Sequence, residues 1–515
     1  MCQFLRVLCL AVVILCVQAP AAFAKGDTLT IAMAASSRTF DPIVTPDAFN
    51  HCIMNQLYEC LVGFNAKGEL IPLLAEKWDI SPDGKTFTFY LRKGVKFHNG
   101  EELKADDVIF TFQRATGPEG GGVRAFSSYI NPAGLKKIDD YTVAVTTTIP
   151  MPATFLQSLT HVWSAPVSKK AVEQYGKDYG MNPVGAGRFR VAKILLGDRV
   201  IFERFDDYYG EKAKMKTLIM RTIVEASSRT IELESGAVDL IMDPAATDIS
   251  RIEANPRLKV IKRSGCRLNM LGFDVTTPPY NDMRVRQALN YAVDRRGIVQ
   301  VVYRGFAEPA AGPVSSAIKY SRQETSPIVE ADIAKAKGLL KEAGFPNGFK
   351  GNILTPDRTD MIRVATVLQE NFAKIGVQME VKVIEWGTFL EVQRTKNHDP
   401  YVNTWWGSPP ALDAFFLMTP SFHSGAIPPA GQTNRFYYKN PEVDALLDKG
   451  ASMLDGPERE AVYSKLWDIL NGELPWLSIA TPYAMFGASK ELEGVNYNAG
   501  TIQNFTTAYF SGSNE

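Results

Sequence analysis

Histidine and cysteine, the residues that most often bind transition metals, are scarce in this chain. Among 515 residues there are five histidines and six cysteines, and no histidine has a second histidine or cysteine at metal-ligand spacing. The sequence also lacks a Gly-x-Ser-x-Gly turn, a phosphate-binding loop, a His-Glu-x-x-His motif and a Cys-x-x-Cys motif. We therefore expect no metal, no cofactor and no enzymatic activity, although catalytic residues can be dispersed along a sequence.

Excess charge of either sign is absent as well. Lysine plus arginine and aspartate plus glutamate number 56 each, and no basic patch is interleaved with aromatic residues. Because nucleic-acid binding needs a basic surface, no nucleic-acid partner is expected. The hydrophobic share of 45% and the charged share of 22% are typical of a soluble globular protein, and 515 residues predict two or more domains.

Long apolar runs are missing except at the N-terminus. Residues 1–6 carry one positive charge, residues 7–17 are apolar, and Ala22-Phe23-Ala24 has the small-x-small pattern of a cleavage site. At about 11 residues the run is too short to span a membrane, which takes about 20. The pattern predicts a signal peptide over residues 1–24 and an exported, soluble mature protein that begins at Lys25.

Cleavage would leave three cysteines, which are Cys52, Cys60 and Cys266. A helix is predicted over residues 49–59, and the rise along it separates Cys52 from Cys60 by about 12 Å, too far for a disulfide. A bond from one of them to Cys266 and three small buried thiols are both open alternatives.

The order of predicted elements indicates an α/β protein with mixed sheets. Alternating strands are predicted over residues 28–34, 85–92 and 377–384, and helices over residues 285–302 and 360–375. Because no Pro/Gly/Ser-rich linker divides the chain, the domains must be joined by short crossings, which favours a hinged body with two lobes.

Six blocks of sequence then occur in a characteristic order. They are residues 74–115, which contain WDISPDGKTFTFYLRKGVKFHNG, and residues 182–191, 202–210, 233–243, 282–299 and 439–450. This ordered set resembles the peptide- and nickel-type extracellular solute-binding proteins of bacterial ABC importers, called family 5. The resemblance covers essentially the whole mature chain.

The resemblance implies a periplasmic-binding-protein fold, with two α/β lobes, an extra subdomain in the first lobe and a hinged cleft between the lobes. The implied division is lobe 1 over residues 25–273, with its subdomain at about 64–182, lobe 2 over residues 274–482, and a return to lobe 1 over residues 483–515. The crossings are implied near residues 271–279 and 479–486. Ligand would bind in the cleft as the lobes close.

Residues 404–416, TWWGSPPALDAFF, are implied to form the wall of the cleft in lobe 2 that distinguishes one ligand from another. Trp405 and Trp406 match a strand of the family's peptide binders, with one ring expected to face the cleft and the other to pack inside. Gly407 and Ser408 stand where those proteins carry an aspartate for the peptide's ammonium group. Asp413 either takes over that role or serves only to stabilise a helix start.

Arg358 lies where a dipeptide binder places the arginine that grips the ligand's carboxylate. Its planar guanidinium can donate two parallel hydrogen bonds, which suits that task, and a solvated loop arginine is the alternative. If Arg358 binds an anion while the acid at 407–408 is missing, ordinary peptides with a free amino group become poor ligands.

The expected function is therefore the periplasmic binding component of an ABC importer, a monomer that delivers a peptide or peptide-like, carboxylate-bearing solute to a membrane permease. The alternatives are a non-peptide cargo (an oligosaccharide, an opine-like conjugate or a metal chelate), a secreted enzyme, and a chaperone or co-receptor on the same fold.

Overall fold

The computed structural model describes residues 26–44, 48–65, 69–123, 127–310, 312–322, 330–406, 413–429, 433–497 and 503–511. Gly407 and Ser408 lie outside these ranges, as does the side chain of Trp406. No helix within the described ranges is long and apolar enough to cross a membrane.

The strands, in chain order, are β1 (Thr28–Met33), β2 (Val62–Phe64), β3 (Leu70–Pro72), β4 (Ala75–Ile80), β5 (Thr86–Leu91), β6 (Lys136–Asp139), β7 (Thr142–Thr146), β8 (Phe189–Leu195), β9 (Arg199–Arg204), β10 (Thr217–Thr222), β11 (Leu240–Met242), β12 (Leu258–Arg263), β13 (Arg267–Gly272), β14 (Ala307–Pro309), β15 (Lys350–Pro356), β16 (Gln378–Ile384), β17 (Tyr401–Trp406), β18 (Trp476–Pro482), β19 (Ala484–Ser489), β20 (Leu492–Glu493) and β21 (Tyr509–Phe510).

The α-helices of the described ranges are α1 (Ala48–Met54), α2 (Ala105–Thr116), α3 (Thr154–Ser158), α4 (Lys169–Tyr175), α5 (Ala226–Ser235), α6 (Ile249–Ala254), α7 (Met283–Ala292), α8 (Arg295–Tyr303), α9 (Ile333–Glu342), α10 (Thr359–Ala373), α11 (Trp386–Val392), α12 (Phe415–Phe422), α13 (Pro441–Ala451) and α14 (Pro457–Glu473).

Two mixed sheets form the frame, which confirms the predicted α/β class. The first has the strand order β12-β19-β11-β1-β10-β9-β8, in which β1 is parallel to β10 and β11. The second has the order β14-β18-β13-β17-β15-β16, in which β15 is parallel to β16 and β17. A separate four-stranded antiparallel sheet, β4-β5-β7-β6, lies in the region expected to form the subdomain.

The chain passes between the two large sheets at residues 264–266, from β12 to β13, and returns at Tyr483, from β18 to β19. The return falls within the implied residues 479–486. The first passage precedes the implied residues 271–279, because β13 already pairs with β17 and β18 of the second sheet. The two passages are in contact, since a Cβ at Gly265 would lie 1.8 Å from the carbonyl oxygen of Pro482.

Side-chain alternation assigns the two faces of the second sheet to two cores. Leu271 of β13 and Val402 of β17 pack with the helices α7, α8 and α10. Met270 and Tyr401, their neighbours along the same strands, pack on the opposite face, in a core that extends to the four-stranded sheet. This alternation is what period-two strands require when both faces are covered.

The strand predicted over residues 85–92 is confirmed as β5, with Phe87, Phe89 and Leu91 buried at alternate positions. The single helix predicted over residues 285–302 is wrong, because α7 ends at Ala292 and α8 begins at Arg295. The side chain of Asp294 accepts a hydrogen bond from the backbone N–H of Gly297 and so begins a new helix.

The helix predicted over residues 49–59 is also shorter than expected, since α1 ends at Met54. The side-chain amide of Gln56 donates to the carbonyls of Cys52 and of Gln503, 2.9 and 2.8 Å away. The bond to Cys52 occupies a carbonyl that the next turn of the helix would have used. The bond to Gln503 ties the end of the helix to the C-terminal segment.

Candidate ligand-binding cleft

The carboxyl ends of the parallel strands of both sheets meet where the chain crosses from one sheet to the other. In the first sheet β1, β10 and β11 end at one edge, and β19 starts there because it is antiparallel to β11. In the second sheet β15, β16 and β17 end at one edge, and β13 starts there because it is antiparallel to β17. Ligands of α/β proteins bind at such edges, so the cleft is expected between them.

A buried arginine fixes the edge of the first sheet. Arg229 of α5 is 2% exposed and donates to the carbonyls of Ile223 and Val224 beyond β10 and of Met242 and Asp243 at the end of β11, at 2.6–3.0 Å. These bonds hold two strand ends at a fixed distance from each other, and burial lowers the pKa of the guanidinium.

An ion pair joins the two edges beside the crossing. Asp243 lies 3.6 Å from the guanidinium of Arg267, the first residue of β13. Arg267 pairs in register with Trp406, the last residue of β17. The ends of β11, β13 and β17 therefore lie side by side, and the predicted tryptophan segment reaches the cleft edge.

Arg358 lies on the same edge, two residues beyond the end of β15. Leu354 of β15 pairs with Tyr401 of β17, so the chain that leads to Arg358 runs beside the chain that leads to Trp405. Nearby, Asn269 hydrogen-bonds the hydroxyls of Tyr303 and Thr404. The tertiary structure thus brings together the two sequence regions that were proposed to contact ligand.

Arg358 is also the residue that precedes α10, with its side chain 3.3 Å from the carboxylate of Asp360. Both side chains of this ion pair are more than a third exposed, 37% and 40%. Pairs of this kind contribute little to stability, so the contact with Asp360 does not by itself hold the side chain of Arg358 strongly.

Trp405 packs into the protein. Its ring centroid lies 6.3 Å from that of Trp476, and the side chain packs against the core under the second sheet. Of the two predicted tryptophans, it is the one with a core contact in the described residues. The prediction that the other ring faces the cleft applies to Trp406, whose side chain lies outside the described residues.

Asp413 is 1% exposed and makes contacts within the protein. Its Oδ2 and Oδ1 accept hydrogen bonds from Arg459 at 2.6 and 3.0 Å, and Oδ1 also accepts from the backbone N–H of Phe415, at the start of α12. This geometry favours the helix-start interpretation over a contact with the ligand.

Arg459 is a residue that the sequence analysis did not single out. It is fully buried on α14 and also contacts Asp455, Thr154 and the carbonyl of Gly450 at 2.8–3.0 Å. Thr154 belongs to α3, which packs on the four-stranded sheet through the rings of Phe155 and Phe87. The importance of Arg459 is visible only in three dimensions, because Asp413 and Thr154 come from distant parts of the chain.

Trp386 is the second residue that was missed. It opens α11 at the end of β16 and is 45% exposed, which is unusual for so large an apolar side chain. Together with Arg358 it lines a pocket of about 440 Å³ at the carboxyl ends of β15 and β16. In the sequence, the motif EWGTF at residues 385–389 indicates only the start of a helix, which Glu385 caps.

The described residues form no metal-binding cluster and no disulfide bond. No three His, Cys, Asp or Glu side chains there could jointly hold a metal ion. Cys52, Cys60 and Cys266 are buried and are not joined by a disulfide, so of the two alternatives left by the sequence the structure has the small buried thiols.

Comparison with known proteins identifies the family. Residues 69–426 match the model of the bacterial extracellular solute-binding proteins, family 5. The glutathione-binding protein GsiB of Pectobacterium atrosepticum is 30% identical over 93% of this chain and 93% of its own length. The dipeptide-binding protein of Escherichia coli is also 30% identical, over 92% and 93%.

A solved structure agrees with these relatives. The periplasmic binding protein DppA from Helicobacter pylori, in complex with the peptide STSA, superposes with a TM-score of 0.81 and 29% identity, covering 94% of this chain and 98% of that one. The overall fold is thus that of a periplasmic binding protein. The chain belongs to the bacterial extracellular solute-binding proteins of family 5.

Proposed function

We propose that this protein is the periplasmic binding component of an ABC importer, and that it captures a short peptide or peptide-like solute through a carboxylate. The observation that carries the proposal is the position of Arg358, on the carboxyl edge of the second sheet and in a pocket at the ends of β15 and β16. Relatives named for glutathione, a dipeptide and a bound tetrapeptide support the ligand class.

The proposed motion is a closure of two lobes about the crossings at residues 264–266 and Tyr483. One lobe comprises the described residues between 26 and 263 and between 484 and 511, and the other those between 267 and 482. Closure excludes water from the Arg358–carboxylate contact, and such a charge-assisted bidentate bond is stronger in a medium of lower dielectric constant. The protein acts as a monomer, exported by the signal peptide 1–24, and delivers its ligand to a membrane permease.

A non-peptide cargo is the second candidate, and the geometry of Asp413 favours it. Both oxygens of that carboxylate are occupied within the protein, so it does not supply a partner for a ligand's ammonium group. A buried ammonium without a partner costs several kcal/mol. Oligosaccharides carry no ammonium group and so avoid that cost, as do metal chelates whose nitrogen atoms bind the metal.

Native mass spectrometry of protein purified from its own host, followed by calorimetric titration with free and N-acetylated di- and tripeptides, tests the proposal. We expect one ligand per chain, a decrease in the radius of gyration on binding, and an unchanged ligand after release. A chemically altered product would indicate an enzyme. A co-purified solute without a carboxylate would replace the proposed ligand class.

A further inference from the structure

The two proposed lobes also touch each other away from the crossings. Helix α3, in the region of the four-stranded sheet, faces the start of α14 in the other lobe. The guanidinium of Arg459 donates to the hydroxyl of Thr154 at 3.0 Å, and the side-chain amide of Gln157 donates to the carboxylate of Asp455 at 3.2 Å. Thr154 is fully buried and Gln157 is 7% exposed. We call these two hydrogen bonds the α3–α14 contact.

The surroundings of the α3–α14 contact combine apolar packing with open space. The rings of Tyr129 and Phe415 meet across the lobes, with centroids 5.9 Å apart. Beside the contact lies a groove of about 930 Å³, lined by residues 80–84 and Pro152 on one side and by residues 452–458 on the other. Interfaces between domains that move relative to each other are likewise more polar than a domain core.

Arg459 keeps its charge neutralised whether or not α3 lies against it. Asp413, from the same lobe as Arg459, accepts hydrogen bonds from both terminal nitrogens of the guanidinium at 2.6 and 3.0 Å. Separation of the lobes would therefore leave no buried charge without a partner, and water would replace the bonds to Thr154 and Gln157. Because such an exchange changes the free energy only modestly, the α3–α14 contact can break and form again.

We propose that the α3–α14 contact is formed only when the lobes are closed, and that it raises the affinity for every ligand by the same factor. The inference rests on the proposed function, because it requires two lobes that open and close. The residues of the contact are not among those that line the pocket of Arg358. They act by stabilising the closed state, since the apparent affinity for a ligand is proportional to the fraction of protein in the state that binds it.

The accessibility of a thiol at position 154 tests whether the contact opens. In the exported protein without ligand, whose native thiols are buried, the thiol of Thr154→Cys should react with a disulfide reagent at least about tenfold faster than that of Thr111→Cys. Thr111 is the matched control because it is 1% exposed and its hydroxyl donates to the carbonyl of Asp107 and accepts from the N–H of Val167, both in its own lobe. Equal rates for the two thiols would overturn the inference.

Calorimetric titration with Ala-Phe and Ala-Phe amide tests the effect on affinity. We expect Gln157→Ala to weaken the binding of both by the same factor, about 3- to 10-fold, since it removes a hydrogen bond that only the closed state makes. Gln113→Ala, at an exposed position of α2, is the control and should leave both affinities unchanged. Unchanged affinities in Gln157→Ala, or a loss confined to one of the two ligands, would also overturn the inference.

The two measurements separate this inference from the proposed function. If the unaltered protein binds neither Ala-Phe nor its amide, the proposed ligand class is wrong, and the thiol rates still decide whether the lobes part at α3. If the unaltered protein binds Ala-Phe while the thiols of Thr154→Cys and Thr111→Cys react equally slowly, α3 and α14 form a permanent interface. The proposed function then stands without the inference.

Discussion

The guanidinium of Arg459 binds both carboxylate oxygens of Asp413, at 2.6 Å to Oδ2 and 3.0 Å to Oδ1, with both side chains at most 1% exposed. Arg459 also lies over the rings of Tyr320 and Tyr463, 5.1 and 5.2 Å from their centroids. Breaking a charge pair so fully removed from water costs more than the pair contributes to stability, because Arg459 would lose its buried anionic partner and keep only Asp455, which is 39% exposed.

The first prediction concerns this pair. We expect Asp413→Ala to lower the free energy of unfolding by up to about 3–5 kcal/mol, since it removes the buried carboxylate and leaves the buried Arg459 only the partly exposed Asp455 as an anionic partner. Asp455→Asn is the matched control, because Asp455 contacts the same guanidinium but is 39% exposed, and it should lose less. Urea unfolding measures both. If Asp413→Ala kept full stability and lost ligand affinity, Asp413 would be a ligand contact after all.

The second prediction concerns Arg358. We expect Arg358→Gln to weaken binding of Ala-Phe by about 10- to 100-fold and to leave the much weaker binding of Ala-Phe amide nearly unchanged, because only the acid offers a carboxylate to the guanidinium. Arg363→Gln, a substitution at an exposed position of α10, which follows Arg358, is the control and should have no effect. Calorimetry measures all three proteins. Equal affinity for acid and amide in the unaltered protein would argue against this role.

The third prediction concerns the crossing. A Cβ at Gly265 would lie 1.8 Å from a backbone oxygen of Pro482, which cannot move aside as a flexible side chain can. We expect Gly265→Ala to destabilise the protein by about 1–3 kcal/mol or to alter its closure. Gly338→Ala, in the middle of α9 with open space around it, should stabilise by up to about 1 kcal/mol. Unfolding curves measure the stability of both variants, and small-angle scattering measures closure. A Gly265→Ala protein with unchanged stability and unchanged closure would contradict the prediction for Gly265.

The fourth prediction is a dependence of stability on pH. Burial lowers the pKa of His98 from 6.5 to about 4, and this effect outweighs the hydrogen bond between Nε2 and the carbonyl of Gly187, which raises the pKa. Between these pH values only the unfolded chain binds the proton, so stability is retained above about pH 6.5 and is lost as the pH falls towards 4. The loss due to His98 should reach up to about 3 kcal/mol.

His98→Gln isolates this contribution, because glutamine can also donate and accept but does not titrate. Its free energy of unfolding should fall less steeply between pH 7 and pH 5 than that of the unaltered protein. Burial lowers the pKa of His161 as well, so some slope should remain in the variant. Parallel pH profiles for the two proteins would show that His98 is not the titrating group.

The fifth prediction concerns the thiols. Burial raises the pKa of Cys52 to about 12 and that of Cys266 to about 11, and it raises the pKa of Cys60 further. Because the thiolate is the reactive form, the folded protein without residues 1–24 should not react with a disulfide reagent within minutes. In denaturant three thiols should react. A count of one would reveal a disulfide, as the other sequence-based alternative required.

The sequence by itself determined the α/β class, the family and several elements, among them β1, β5, β16 and α10. Period-two and period-3.6 patterns are local, and the six ordered blocks need no geometry to be recognised. Where local patterns failed, a side chain had altered the backbone: Asp294 begins a second helix inside one apolar pattern, and Gln56 ends α1 by a bond to the distant Gln503. Neither contact can be inferred from periodicity.

Only the tertiary structure decided the surroundings of Asp413 and Arg358. Asp413 and Arg358 look alike in sequence, as charges next to a helix start, yet one is buried against Arg459 and the other lines a pocket with Trp386. The difference arises because burial and partners are set by segments far apart in the chain, which strand register and the two crossings bring together. The free energy of a charged side chain depends on those neighbours and not on the residues beside it in sequence.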